Sequence, residues 1–144
     1  MPLLHKSASF LSHRLPKVFN PGTHAIVDYA VSALFFTAAA LFWRRHKSAA
    51  VSALLCGTGA ALNGLFTDYP GGAVQAMSFE THGKIDAGLA GMTASIPNLM
   101  GFADDAQARF FEVAAAAETL ASGFTDYHAQ EELEGERWAT KHAA

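Results

Sequence analysis

The sequence predicts an all-α protein, a four-helix membrane bundle made of two tandem helical hairpins. Three observations lead to it. Four long apolar segments, 25–43, 48–67, 87–103 and 110–125, follow one another with turn-forming clusters between them. Runs this long and Ala-rich, without period-2 alternation, are poor strands. And the polar residues that open and close the segments recur at an offset of 58 residues.

The first segment carries one charge, Asp28; the second has none in 20 residues. The third has none in 17 residues, and the fourth has Glu112 and Glu118. At 1.5 Å of rise per residue, about 20 residues cover the roughly 30 Å of a bilayer's hydrocarbon. The first two segments meet that length, the third falls slightly short unless it begins near His82, and the fourth is marginal. A soluble bundle helix needs a polar face, and 48–67 offers only Ser52, Thr58 and Asn63 away from its ends. The turns are Arg44-Arg45-His46-Lys47, Asp68-Tyr69-Pro70-Gly71-Gly72 and Ala103-Asp104-Asp105.

The 58-residue offset superposes Thr23, His24 and Asp28 on Thr81, His82 and Asp86, and Phe66-Thr67-Asp68-Tyr69 on Phe124-Thr125-Asp126-Tyr127. Each half then reads as a hairpin, 23–69 and 81–127, within a four-helix domain 23–127. Two crossings separate His24 from His82, so both hairpins start on one side and the repeated polar residues gather at one end of the bundle. Residues 1–22 form an N-terminal amphipathic or flexible segment, with Lys6, Arg14 and Lys17 opposite Leu4, Leu11, Leu15 and Val18. They lack the uninterrupted apolar stretch of a signal peptide. Residues 128–144 are a charged tail.

Composition narrows the function classes. Only 16% of the 144 residues are charged and the net charge is −3, so there is no basic field for nucleic acid. The single Cys56 excludes an intrachain disulfide and reads as a small core residue. No nucleotide-binding or hydrolase motif occurs. The partner implied is the lipid bilayer, with a homo-oligomer required if so few helices are to form a carrier. The basic residues 44–47 and those at 6–17 argue for opposite orientations under the positive-inside rule.

The expected site is the polar end: His24, Asp28, Asp68, His82, Asp86 and Asp126, with Tyr69 and Tyr127 at the rim and Glu118 deeper. His24/Asp28 and His82/Asp86 are i,i+4 pairs, each on one helix face. Two such imidazoles facing each other can bind a transition metal, with Asp28 and Asp86 as ligands or as partners that orient the rings. A haem between them is a further option. Glu118, a carboxylate in an apolar helix, is a functional candidate by default. A plainer reading has Thr23 and Thr81 as N-caps, Asp28 and Asp86 on the helix dipoles, and His24 and His82 stapling the hairpins through Asp68 or Asp126. Three functions remain open: a non-enzymatic membrane protein with a structural or ligand-binding cluster, a metal- or haem-dependent membrane oxidoreductase, and a proton-linked small carrier in which Glu118 and Asn63 line a continuous polar path.

"THAIVDY", "GLFTDYPGG", "SFETHGKIDAGLAG", "PNLMGFADD" and "ETL" follow, in order, a pattern that resembles small bacterial four-helix integral membrane proteins of the SPW-repeat type. The resemblance spans roughly residues 23–127, although Ser95-Ile96-Pro97-Asn98 stands where Ser-Pro-Trp is expected. It implies a multi-pass protein of the bacterial inner membrane. That family has no established activity, so the resemblance leaves function open.

Overall fold

The computed structural model describes residues 16–128, in which four helices and no strand occur. Helix α1 spans Pro21–Phe42, α2 Lys47–Leu65, α3 Phe79–Leu99 and α4 Ala108–Phe124. The expectations for residues 1–15 and 129–144 lie outside the described residues. Helix α3 begins eight residues before the apolar segment 87–103, because the polar stretch Glu80–Asp86 is itself helical.

The helix starts follow capping chemistry, but three residues earlier than expected. Asn20, not Thr23, caps α1, its side chain accepting the Thr23 N–H, and Pro21 sits where its missing N–H costs nothing. Ser78, not Thr81, caps α3 by accepting the Thr81 N–H. His46 caps α2 through Nδ1, which accepts the Ala49 N–H, leaving Nε2–H to donate to Asp105 2.9 Å away. That contact ties the α1–α2 turn to the α3–α4 turn at the end of the bundle remote from the cluster. An exposed pair of this kind contributes at most about 1 kcal/mol.

Sequential helices pair as hairpins: α1 packs chiefly on α2 and α3 on α4, while α2 meets α3 and α1 meets α4 more sparsely. The interior is built largely from small residues. Ala38, Ala39, Ala49, Ala53, Cys56, Ala108 and Ala114 surround Phe35, Phe102 and Phe111. Large apolar side chains instead face outward; Ile26, Leu41, Leu55, Leu99 and Val113 are all more than 60% exposed. By length and composition, α1 and α2 are apolar enough to cross a membrane, which is two helices rather than the four expected.

Short backbone contacts close the polar end. The Phe19 N–H donates to Phe124 O and the Asp126 N–H to Phe19 O; the Met77 N–H donates to Phe66 O and the Asp68 N–H to Met77 O. The same 58-residue offset relates the two sets, so the matching begins at Phe19 and Met77, before the histidines.

Gly57 lets α1 approach α2: a Cβ there would lie 3.0 Å from the Phe35 Cβ and 3.1 Å from the Phe36 ring. Gly57→Val is therefore expected to destabilise the bundle by about 1–3 kcal/mol. Gly88→Ala, whose Cβ meets nothing within 4 Å, should be neutral or stabilising by up to about 1 kcal/mol. Denaturant unfolding of the two variants in detergent checks both.

Candidate metal centre

His24 and His82 enter from the first turns of α1 and α3 and are almost fully buried, at 1% and 0% exposure. Each ring's Nδ1 meets a threonine of the other hairpin: His24 with Thr125 Oγ1 at 2.7 Å, His82 with Thr67 Oγ1 at 2.8 Å. A hydroxyl has one proton. Thr125 donates its proton to Ala121 O at 2.7 Å, and Thr67 donates its own to Asn63 O at 2.6 Å. Both threonines can only accept from the imidazoles, so both rings carry their proton on Nδ1. In the neutral ring Nε2 is then the lone-pair nitrogen.

The two Nε2 atoms point at each other, 3.1 Å apart. Asp86 Oδ2 lies 3.0 Å from each of them. Asp28 spans both, with Oδ1 3.3 Å from His24 Nε2 and Oδ2 3.2 Å from His82 Nε2. A tetrahedron of N and O donors about 2.0–2.1 Å from a central ion has edges of about 3.3 Å. The N···N distance and the two from Asp86 Oδ2, at 3.0–3.1 Å, approach three such edges; Asp28 meets the two rings through different oxygens, and ligand atoms of all four residues lie within 4.8 Å of one another.

A further layer of side chains fixes the carboxylates. Tyr69 donates to Asp28 Oδ2 at 2.8 Å and Tyr127 to Asp86 Oδ2 at 3.3 Å. Asn63 Nδ2 donates to Asp86 Oδ1 at 2.8 Å. Burial first, and then the adjacent Asp28 carboxylate, raise the Tyr69 phenol well above its ordinary range; burial and Asp86 do the same for Tyr127. Both phenols therefore stay protonated donors throughout the physiological range. Phe79, 3% exposed, has its ring centroid 5.4 Å from that of His24 and 5.6 Å from that of His82. Gly83 has no Cβ because the Tyr127 ring occupies that space, 2.7 Å from where one would sit.

Of the expected site residues, the structure brings together His24, Asp28, His82, Asp86, Tyr69 and Tyr127. Tyr69 is not at a rim but 4% exposed. Asp68 and Asp126 are placed differently: the Asp68 N–H joins the loop ladder, and Asp126 Oδ1 accepts the His128 N–H. Neither supplies the staple, because the threonines beside them already occupy the imidazole Nδ1 atoms. Glu118 lines a cavity beside the cluster. Sequence reading passed over Thr67, Thr125 and Phe79 as site residues and gave Asn63 a role only on the carrier's polar path. The two threonines carried a signal, since both lie in the repeated Phe-Thr-Asp-Tyr; Phe79 carried none.

No protein-family model, no curated protein and no solved structure matches the chain.

Thr67→Val removes the acceptor of a buried ring N–H, an expected loss of about 1–3 kcal/mol. It also frees His82 to take the other tautomer. Nitrogen-15 spectra of labelled protein should show both histidines Nδ1-protonated in the wild type and His82 alone changed in the variant.

Proposed function

We propose that this chain is a small membrane protein that binds one divalent transition-metal ion at the polar end of its bundle, through His24, Asp28, His82 and Asp86. The observation that carries this reading is the pair of threonines that hold both Nδ1 protons and so aim two lone pairs at one point. Two neutral Nε2 lone pairs facing each other repel, so either a ring takes a second proton and donates it to Asp86 or Asp28, or a cation stands in that proton's place. A cation between them turns the repulsion into ligation. Charge agrees: Asp28 and Asp86 have only these histidines as ion-pair partners among the described residues, and two carboxylates with two neutral imidazoles balance a 2+ ion. Neutrality matters where desolvation makes a net charge expensive.

The donor set is borderline in softness and suits Zn2+, Fe2+ or Co2+ better than Ca2+ or Mg2+, which take oxygen ligands. Tyr69, Tyr127, Asn63 and the threonines act as the partners that orient ligands in known metal sites. A haem fits poorly, since its axial histidines must stand on opposite sides of a macrocycle and these face each other at 3.1 Å. The oxidoreductase reading therefore reduces to one with a bare metal ion.

The membrane setting is supported by the apolar length of α1 and α2 and by the inverted distribution of size. Small residues fill the helix contacts and large aliphatic ones cover the outside, the pattern expected where lipid is the solvent. The four-span bundle, the internal duplication and the likeness to the SPW-repeat type belong to the same proposal.

Gently purified protein should contain about one metal ion per chain by elemental analysis, and His24→Ala/His82→Ala should contain none while keeping its helical circular dichroism. Tyr69→Phe should weaken binding by about tenfold or more. A metal-free wild type, with a double mutant that merely melts lower, would leave the cluster as a staple between hairpins. Alkaline carbonate should fail to release the protein from membranes; release would contradict the membrane reading.

A further inference from the structure

Beside the four ligand groups lies a cavity of about 30 Å3. His24, Asp28 and Asp86 form its polar side, Glu118 contributes from α4, and Ala60 and Leu89 are among its apolar walls. A water needs about 10–15 Å3 of such space and two to four polar partners, so the cavity has room and partners for about two. Glu118 Oε2 is buried without a hydrogen-bond partner. A carboxylate oxygen held in that way is costly unless something in the cavity donates to it.

We propose that this cavity gives the bound metal an open coordination position, filled by a water that hydrogen-bonds to Glu118, so that the centre accepts water or a small anion as an exchangeable ligand. The inference rests on the metal-binding reading and deepens it. Four protein donor groups would by themselves make a closed, structural site, whereas a catalytic or exchanging site keeps a position free and expands to five ligands. The cavity lies on the ligand side of the bundle and is lined by three of the four ligand residues, so the free position has a place to open into. Its size restricts the exogenous ligand to the class of water, hydroxide and fluoride. Glu118 is a positioning residue here: it holds the water and does not touch the metal.

Filling the cavity separates an open site from a closed one without removing a ligand. Full-length protein loaded with Co2+ should show the weak visible bands of five-coordination, shifting on addition of fluoride. Ala60→Leu should bind the same amount of Co2+ but show the intense four-coordinate spectrum, indifferent to fluoride. Ala121→Val, from another wall of the cavity, repeats the test in case the first variant folds poorly. Glu118→Leu should keep Co2+ and bind fluoride at least as tightly as the wild type, since fluoride cannot donate to the carboxylate that accepts from the bound water, while Glu118→Gln should keep the water and the five-coordinate spectrum. A wild type that binds Co2+ with a four-coordinate spectrum unmoved by fluoride overturns the open position and leaves metal binding intact. Plugged variants that still respond to fluoride overturn it as well. Absence of any Co2+ spectrum, with no other divalent ion bound, overturns both readings.

Discussion

The hydrogen bond from each histidine's Nδ1–H to a threonine of the opposite hairpin is the contact on which the arrangement depends. It places each proton on the nitrogen away from the centre, so Nε2 faces inward as a base. It crosses between hairpins, so the two halves of the bundle must meet before either ring is fixed. It also uses threonines whose hydroxyls are already committed to carbonyls one helical turn back, at Asn63 and Ala121. Ser/Thr back-bonding of this kind is common in apolar helices. Here it converts a hydroxyl that could donate or accept into one that can only accept.

The rest of the polar end follows from that constraint. Once the rings are fixed, the i,i+4 carboxylates Asp28 and Asp86 are brought to the same point, and the tyrosine closing each hairpin reaches the aspartate of its own half. Carboxylate–tyrosine contacts therefore run within hairpins and histidine–threonine contacts run between them. Among the described residues the remote end carries no comparable network; Phe35, Phe102 and Phe111 pack there among alanines, and the exposed His46–Asp105 contact joins the turns.

Much of this was legible in the sequence, for reasons that particular residues make plain. The helices follow from long apolar runs broken by Arg44–Lys47, Asp68–Gly72 and Ala103–Asp105. The meeting of His24 with His82 follows from counting two crossings between them. The caps were misplaced because threonine is a weaker cap than the asparagine and serine three residues before it. The partner of each imidazole was misassigned to Asp68 and Asp126 because charge suggests carboxylate to histidine, whereas helical phase decides which side chain faces inward, and Thr67 and Thr125 are one residue before. Phe79 was invisible because its contacts with His24 and Tyr69 exist only once the hairpins meet, and the bond from Asn63 to Asp86 depends on the packing of α2 against α3, a relation no local pattern encodes.

X-ray absorption at the metal edge of the purified protein tests the central claim most directly, since it reads the atoms bound to the ion and not its presence alone. The account expects about two imidazole nitrogens and two or three oxygens at roughly 2.0–2.2 Å, with the outer-shell scattering of two histidine rings. A shell of oxygens without imidazole scattering, or a sulfur at the longer distance typical of Cys56, would contradict it.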